Sequence, residues 1–442
     1  MKLKTFKIGG IHPPENKLSA GNKVERLPLP TQAIIPLGQS LGAPSTPLVK
    51  KGDEVKVGTL IAKSSGFISA NIHSSVSGKV LKIDQVVDAS GYKRDAIVID
   101  VVGDEWEESI DQTDTLVEEC NLPSEEIISK IEAAGIVGLG GATFPTNVKL
   151  LSGSGKVDTL IINATECEPY LTDDHSLMLI KAPEIFVGIS ILMRALKVEK
   201  AIIGIENNKK DAIKLFSDIA SKHMGISVVA LKTQYPQGGE KQLIDALTGR
   251  QVPSGKLPAD VGTVVQNIGT TFAVYEAVQK NKPLFERLVT VTGKSINKPA
   301  DLWVRVGTPI KNLIEHQGGL PNNVGKVIAG GPMMGKALVN IDVPVTKGVS
   351  GVLIMSKEES QRKESRVCIR CGKCVQVCPM GLVPSFLMTV SELEEWDKAE
   401  SFNITDCMEC GSCSFTCPSN RPILDYVRLG KTKVNNIIRS RK

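Results

Sequence analysis

The chain has 442 residues, 41% of them hydrophobic and 23% charged, which is too long for a single core and too apolar for disorder, so two to four domains are expected. A formal net charge of +5 gives no general case for nucleic acid as a partner. No apolar run approaches the roughly 18 residues that cross a bilayer. Residues 185–193 read as a buried helix, and residues 1–6 lack the apolar stretch of a secretory signal. A cytoplasmic location is expected, where clustered cysteines read as metal ligands rather than disulfides.

Residues 1–30 are rich in Pro, Gly and charge and read as an extended arm. From Ala33 to about Val102 short apolar runs alternate with turns. Residues 49–62 and 70–83 each place a Gly turn between two such runs. The pair resembles the flattened barrel of lipoyl- and biotinyl-carrier domains. The stretch that matches their modified hairpin tip, 72–78, has no Lys, which argues against a swinging arm.

After an acidic stretch, residues 124–134 carry a helix-capping signal and an apolar helical face. Strands are expected at 157–163, 200–206 and 226–231, with helices at 182–196 and 209–224 between them. That rhythm predicts a Rossmann-like parallel sheet covered by helices. Short strands return at 288–293 and 302–307, with a helix near 309–317, as a small α+β module. Past Ser356 a charged stretch leads to the cysteines. The fold class is therefore multidomain α/β.

Cys368-x2-Cys371-x2-Cys374-x3-Cys378-Pro379 recurs as Cys407-x2-Cys410-x2-Cys413-x3-Cys417-Pro418. This is the bacterial ferredoxin spacing, in which the fourth Cys of each run ligates the other cluster. One [4Fe–4S] cluster is thus assigned Cys368, Cys371, Cys374 and Cys417, and the other Cys407, Cys410, Cys413 and Cys378. Zinc knuckles are the bland alternative, disfavoured by two complete four-Cys runs with no His nearby. Cys120 and Cys167 read as packing residues. The end of the chain, 419–442, carries Arg421, Arg428, Lys431, Lys433, Arg439, Arg441 and Lys442 against Asp425. It reads as a solvated tail, or as a contact with an acidic partner or an anionic membrane surface.

Gly138-Leu-Gly140-Gly141-Ala-Thr-Phe144-Pro145-Thr-Asn-Val-Lys149 is a glycine-rich turn ending in Lys. Such turns let backbone N–H groups approach phosphate. Three further polar segments follow strands: Asn163-Ala-Thr-Glu166-Cys-Glu168-Pro169, Tyr235-Pro-Gln-Gly238-Gly239-Glu240, and Val265-Gln-Asn267-Ile-Gly-Thr270. Ligands of open α/β sheets bind at such strand ends.

These four segments, in this order, resemble the flavin- and NADH-binding subunit of respiratory complex I. Its pattern runs G-R-G-G-A-G-F-P-T-G-x-K, N-A-D-E-S-E-P, G-E-E and N-N-V-E-T. The chain is more similar still to the C subunit of the Rnf complex, the membrane-bound ferredoxin:NAD+ oxidoreductase. The segment 6–17, the order of units and the paired ferredoxin motifs carry that resemblance, which covers nearly the whole chain.

The resemblance implies an FMN pocket made by Gly138, Gly140, Gly141, Lys149, Asn163, Glu166, Gly238, Gly239, Glu240, Asn267 and Thr270. Phe144 and Glu168 match residues that meet NADH. Leu139, Thr165, Gln266 and Gly269 depart from the complex I pattern. The implied division is an arm and lipoyl-like domain at 1–103, an FMN/NADH domain at 104–285, a β-grasp module at 286–345, and a 2[4Fe–4S] ferredoxin-type domain at 346–442. The implied function is that of a peripheral subunit on the cytoplasmic face of the membrane. It would pass electrons between NADH, FMN and two [4Fe–4S] clusters, with other Rnf subunits as partners and ferredoxin reached through the complex. A stand-alone NADH-dependent cobalamin reductase is the alternative, disfavoured by the long segment before the glycine-rich turn. A cluster-bearing adaptor with a degenerate flavin site would hold iron and sulfide but no FMN.

Overall fold

The computed structural model describes residues 3–441. Met1 and Lys2 of the arm, and Lys442 of the basic tail, lie outside it. The N-terminal unit stacks two small antiparallel sheets. One orders Gln32–Pro36, Lys93–Gly103, Ser77–Val87 and Glu54–Val55; the other orders Thr46–Pro47, Leu60–Lys63 and Ile72–His73. Alternate residues point inward, so Ile35, Ile61, Val80, Ile97 and Ile99 make the core between the sheets. The hairpin tip that would carry a prosthetic lysine is buried instead. Ser74 Oγ donates to Val76 O at 2.7 Å, and Ser75 Oγ donates to Val306 O at 2.5 Å.

The α/β unit has four parallel strands in the order Ile226–Leu231, Ala201–Glu206, Thr159–Ala164, Thr263–Asn267. Helices cover both faces, which is why these strands read as continuous apolar runs. Leu160 and Ile162 face helices Ala182–Leu196 and Ile268–Gln279. Ile161 and Val265 face Leu243 and Leu247 of Glu240–Thr248. Among the described residues no single helix is long and apolar enough to cross a bilayer. Asp173–Ile180 and Ala182–Leu196 pass only as a pair bent by 97°, and most of their apolar side chains belong to the core.

The third unit is a mixed sheet, ordered Glu25–Arg26, Ala300–Arg305, Glu286–Thr292, Gly351–Ser356, Val324–Ala329, Lys336–Ala337, with helix Ile310–His316 packed on its core. Its interior strand Gly351–Ser356 runs parallel to Glu286–Thr292. The sheet therefore extends past the boundary expected at 345, because a buried apolar strand is needed to close its middle. The arm also departs from a free extension, since Glu25–Arg26 adds an edge strand here.

Lys347 pins three units together. It is 1% exposed, and its ammonium donates to Asn71 O (2.8 Å) and Gly135 O (2.7 Å). Burial lowers its pKa from 10.5 to about 7. The unfolded chain thus binds more protons between pH 7 and 10.5, so stability rises with pH across that window. Between pH 7 and 9 the gain from this group is about 2 kcal/mol. Chemical denaturation of wild type and Lys347→Met at both pH values is expected to show that difference in slope. Equal slopes would refute it.

Candidate functional site

The sheet reverses its winding between Thr159–Ala164 and Thr263–Asn267, the place where open α/β sheets bind ligands. Asn163 and Asn267 are register partners at that point. Against them lies the loop 138–144, closed on itself by Gly138 N to Phe144 O (2.9 Å) and Thr143 N to Gly138 O (3.1 Å). Gly141 holds φ at 105°, and nothing lies within 4 Å of where a Cβ would stand. Residues 140–142 are exposed, so this edge of backbone is open to an incoming group.

The neighbouring side chains hold the loop in place. Thr270 Oγ1 accepts from Leu139 N at 2.8 Å. Asn267 caps the helix Ile268–Gln279 through Thr270 N (3.2 Å) and donates to Asp174 Oδ2 (2.7 Å). Asn163 Nδ2 donates to Gly238 O at 2.9 Å. Lys149 Nζ lies 2.8 Å from Glu240 Oε1 and 3.0 Å from Val265 O. The residues expected to form the flavin pocket are thus brought to one edge of the sheet, from segments as far apart in the chain as Gly138 and Thr270. Of the departures from the complex I pattern, Leu139 is buried and Thr165 Oγ1 donates to Asn163 Oδ1 at 2.8 Å.

Beside this edge lies a set of buried charges. Glu166 Oε1 accepts from Asp174 N at 2.7 Å, while Oε2 has only Lys17 Nζ at 3.8 Å. Burial raises Glu166 and Glu206 to about 7 and also raises Asp173 and Asp174. Carboxyls poised near neutrality can hold or release a proton. Lys17, from the arm, donates to the carbonyls of Glu166, Glu168 and Leu171 at 2.9, 2.9 and 2.6 Å. A cavity of about 100 Å³ between arm and sheet is lined by His12, Lys17, Glu166, Cys167, Glu206 and Tyr235. Cys167 accepts from Gly238 N at 3.3 Å, and burial pushes its thiol well up, as for a packing cysteine.

Phe144 is half-buried beside the open loop. Glu168 is differently placed from the dinucleotide-facing residue expected of it. Its carboxylate accepts from Met333 N (3.2 Å) and Met334 N (2.7 Å), so both oxygens serve the third unit.

The loop Tyr235–Glu240 also meets the cysteine region. Tyr235 Oη donates to Cys410 O at 2.8 Å, and Gln242 Nε2 donates to Pro379 O at 3.0 Å. Gly10 N donates to Val377 O at 3.0 Å. Gly9 makes that approach possible, since a Cβ there would stand 2.6 Å from the Cys378 carbonyl carbon. Ile11, Cys167, Tyr235, Met333, Met408 and Cys410 pack as one apolar contact across this junction.

Within the cysteine region the duplication is visible in the backbone. Gly372 (φ 72°) and Gly411 (φ 78°) each start a short helix, Lys373–Gln376 and Ser412–Phe415. Cys378 of the first run lies close enough to Cys407 and Cys413 of the second to help raise their thiols. Burial is the larger cause and takes them to about 11 and about 12. Gly381 N donates to Cys378 O at 3.2 Å, and Glu409 N lies 3.4 Å from Cys407 Sγ. Such N–H···S contacts tune a cluster bound there. Cys378 and Cys410 are buried, whereas Cys368 and Cys371 are exposed. Among the described residues no three Cys, His, Asp or Glu converge as the shell of one metal ion.

Four family models match in chain order: the RnfC barrel sandwich hybrid domain at 4–104, the Nuo51 FMN-binding domain at 131–276, the SLBB domain at 288–337, and a 4Fe-4S dicluster domain at 360–418. The C subunit of the proton-translocating ferredoxin:NAD(+) oxidoreductase complex of Clostridium ljungdahlii is 47% identical over 98% of this chain and 94% of its own. The chain belongs to the RnfC family, the C subunits of Rnf complexes. The C subunit of the Na(+)-translocating ferredoxin:NAD(+) oxidoreductase complex of Acetobacterium woodii is 44% identical over 98% of both chains. The C subunit of the ion-translocating oxidoreductase complex of Rhodobacter capsulatus is 42% identical over 98% of this chain and 84% of its own. An NAD+-reducing [NiFe]-hydrogenase in the air-oxidized state shares the fold over 64% of this chain and 54% of its own, with TM-score 0.50 and 19% identity.

The donor sets of this RnfC chain fit the groups its domains are named for. Eight thiols stand in two runs, with Cys374, Cys378, Cys407, Cys413 and Cys417 packed into one cluster of side chains and Glu409 N 3.4 Å from Cys407 Sγ. At the flavin edge the buried atoms Glu166 Oε2, Gln237 Nε2 and Gln266 Nε2 lack hydrogen-bond partners. Buried polar atoms left in that state suit a polar ring with donors and acceptors of its own. Sequence reasoning missed Lys17, Asp174, Tyr235 as a bridge to Cys410, and Gln242. The family-like segment 6–17 was the only signal for the first; none is apparent for the rest.

Proposed function

We propose that this chain is the peripheral, electron-transferring C subunit of a membrane-bound, ion-translocating ferredoxin:NAD+ oxidoreductase, held at the cytoplasmic face by other Rnf subunits. The observation that carries this reading is the junction where Tyr235, on the flavin-edge loop, donates to Cys410 O within a ferredoxin motif. Bound FMN supplies the exchange between a two-electron nicotinamide and one-electron [4Fe–4S] clusters.

The residues have separable tasks in this reading. Gly138, Gly140, Gly141 and Lys149 cradle the FMN phosphate, with backbone N–H groups and one ammonium. Asn163, Glu166, Gly238, Gly239, Glu240, Asn267 and Thr270 bound the rest of the pocket. Glu166, with an Oε2 that accepts no hydrogen bond and a carboxyl near neutrality, holds or releases a proton there. Phe144 stacks on NADH, and Glu168 meets it with the acceptor capacity that Met333 N and Met334 N leave on its carboxylate. Cys378, Cys407, Cys410 and Cys413 hold the cluster nearer the flavin, and Cys368, Cys371, Cys374 and Cys417 the farther one. The proposed units are 1–103, 104–285, 286–356 and 357–442.

Anaerobic stopped flow with NADH tests the whole reading. Flavin absorbance is expected to bleach first and cluster absorbance second. A protein whose clusters bleach with dithionite, but whose flavin and clusters ignore NADH, would overturn it.

A further inference from the structure

The basic tail pairs most of its charge. Its helix Ile423–Ser440 packs on the cysteine domain, and of the tail's described cations only Lys433 and Arg439 lack a carboxylate partner. Arg428 and Lys431 pair with Glu409 (3.1 and 3.0 Å), Arg441 with Glu400 (2.8 Å) and Arg421 with Glu392 (3.4 Å).

A denser set of unpaired cations lies beside the first cysteine run. Residues 361–373 are exposed throughout and run past Cys368 and Cys371. Arg362 pairs with Asp425 at 2.6 Å. Among the described residues no carboxylate pairs with Lys363, Arg366, Arg370 or Lys373, and Glu364 is the one acid in this segment. Two β-branched side chains flank the first cysteine, Val367 at 84% and Ile369 at 67% exposure. The segment is anchored rather than loose, through Arg366 N to Ser419 O (2.9 Å) and Asn420 Nδ2 to Glu364 O (3.2 Å). An apolar centre ringed by unpaired cations is the anatomy of a docking face for an acidic protein. At its middle stand exposed ligands of the cluster farther from the flavin edge, where one-electron exchange with another protein would occur.

We propose that the face around Cys368 and Cys371 docks an acidic one-electron iron–sulfur protein, with Val367 and Ile369 at its centre and Arg366, Arg370 and Lys373 at its rim. This rests on the electron-transfer reading above, but its test reads binding, not turnover. The holoprotein is titrated with an acidic 2[4Fe–4S] ferredoxin as probe, at about 50 and about 300 mM salt. Affinity is expected to fall by about tenfold with that salt, because rim charges are screened. Arg366→Glu/Arg370→Glu/Lys373→Glu is expected to weaken binding by about tenfold or more and to flatten the salt dependence. Val367→Ser/Ile369→Ser is expected to weaken binding while leaving the salt slope intact. Iron content of each variant separates a lost surface from a lost cluster. The proposal is overturned if wild type does not bind the ferredoxin, or if the charge-reversed protein binds as wild type does at full iron content. It is also overturned if wild type binds vesicles containing phosphatidylglycerol and the same triple variant loses only that binding, which would assign the face to the membrane.

Discussion

Cys378→Ser is expected to cut the protein's iron from about eight atoms to about four per chain, and to leave the remaining cluster unbleached by NADH. The expectation rests on the crossed ligation proposed above. Cys378 belongs to the first cysteine run, yet it lies beside Cys407 and Cys413 of the second. The cluster it would lose is the one touching the flavin-edge loop through Cys410, Tyr235 and Pro379. Cys417→Ser is expected to cost the same iron but to leave NADH-dependent bleaching of the inner cluster. Double variants decide the pairing. Cys378→Ser/Cys410→Ser should keep about four iron atoms, because both residues serve one cluster, whereas Cys378→Ser/Cys371→Ser should keep almost none. The opposite pattern would mean each run holds its own cluster.

Lys149→Asp is expected to strip the protein of flavin while leaving its iron in place. Lys149 is the one cation in the glycine-rich turn and the helix turn that follows it, and its ammonium sits between Glu240 Oε1 and Val265 O. A charge-assisted contact to phosphate contributes about 1.5–3 kcal/mol, or roughly 10–100-fold in affinity. The new carboxylate beside Glu240 adds repulsion to that loss. Flavin released by acid from freshly purified protein, counted against iron, is the measurement. Lys149→Met separates the lost contact from the added repulsion and is expected to fall between the two. Unchanged flavin in the Asp variant would place the phosphate elsewhere.

Much of the fold was legible because its signals are local. The strands Thr159–Ala164 and Ala201–Glu206 are apolar runs buried on both faces, Ile226–Leu231 is a half-buried apolar edge strand, and helix Ala182–Leu196 falls where its pattern predicts. What escaped the sequence was long-range. Gly351–Ser356 looks like a lead-in to the cysteines until Glu286–Thr292 is laid beside it. Glu168 sits in a motif that suggests a dinucleotide, but its oxygens are taken by Met333 and Met334 N–H groups from a distant turn. The arm, 1–30, reads as an extended segment, although Lys17 alone binds the carbonyls of Glu166, Glu168 and Leu171.

The ligand chemistry is written in local spacing: eight thiolates at ferredoxin spacing, a glycine-rich turn with one Lys, and polar residues at strand ends. Such patterns depend on a few neighbouring residues and the reach of one turn, so they can be read without the fold. Direction comes from the packed chain. It set Cys378 and Cys410 against the flavin edge, left Cys368 and Cys371 in solvent, and neutralised much of the tail's charge while leaving the 363–373 cations bare. Those outcomes depend on burial and on pairings between residues far apart in the chain, and neither property is encoded in local spacing.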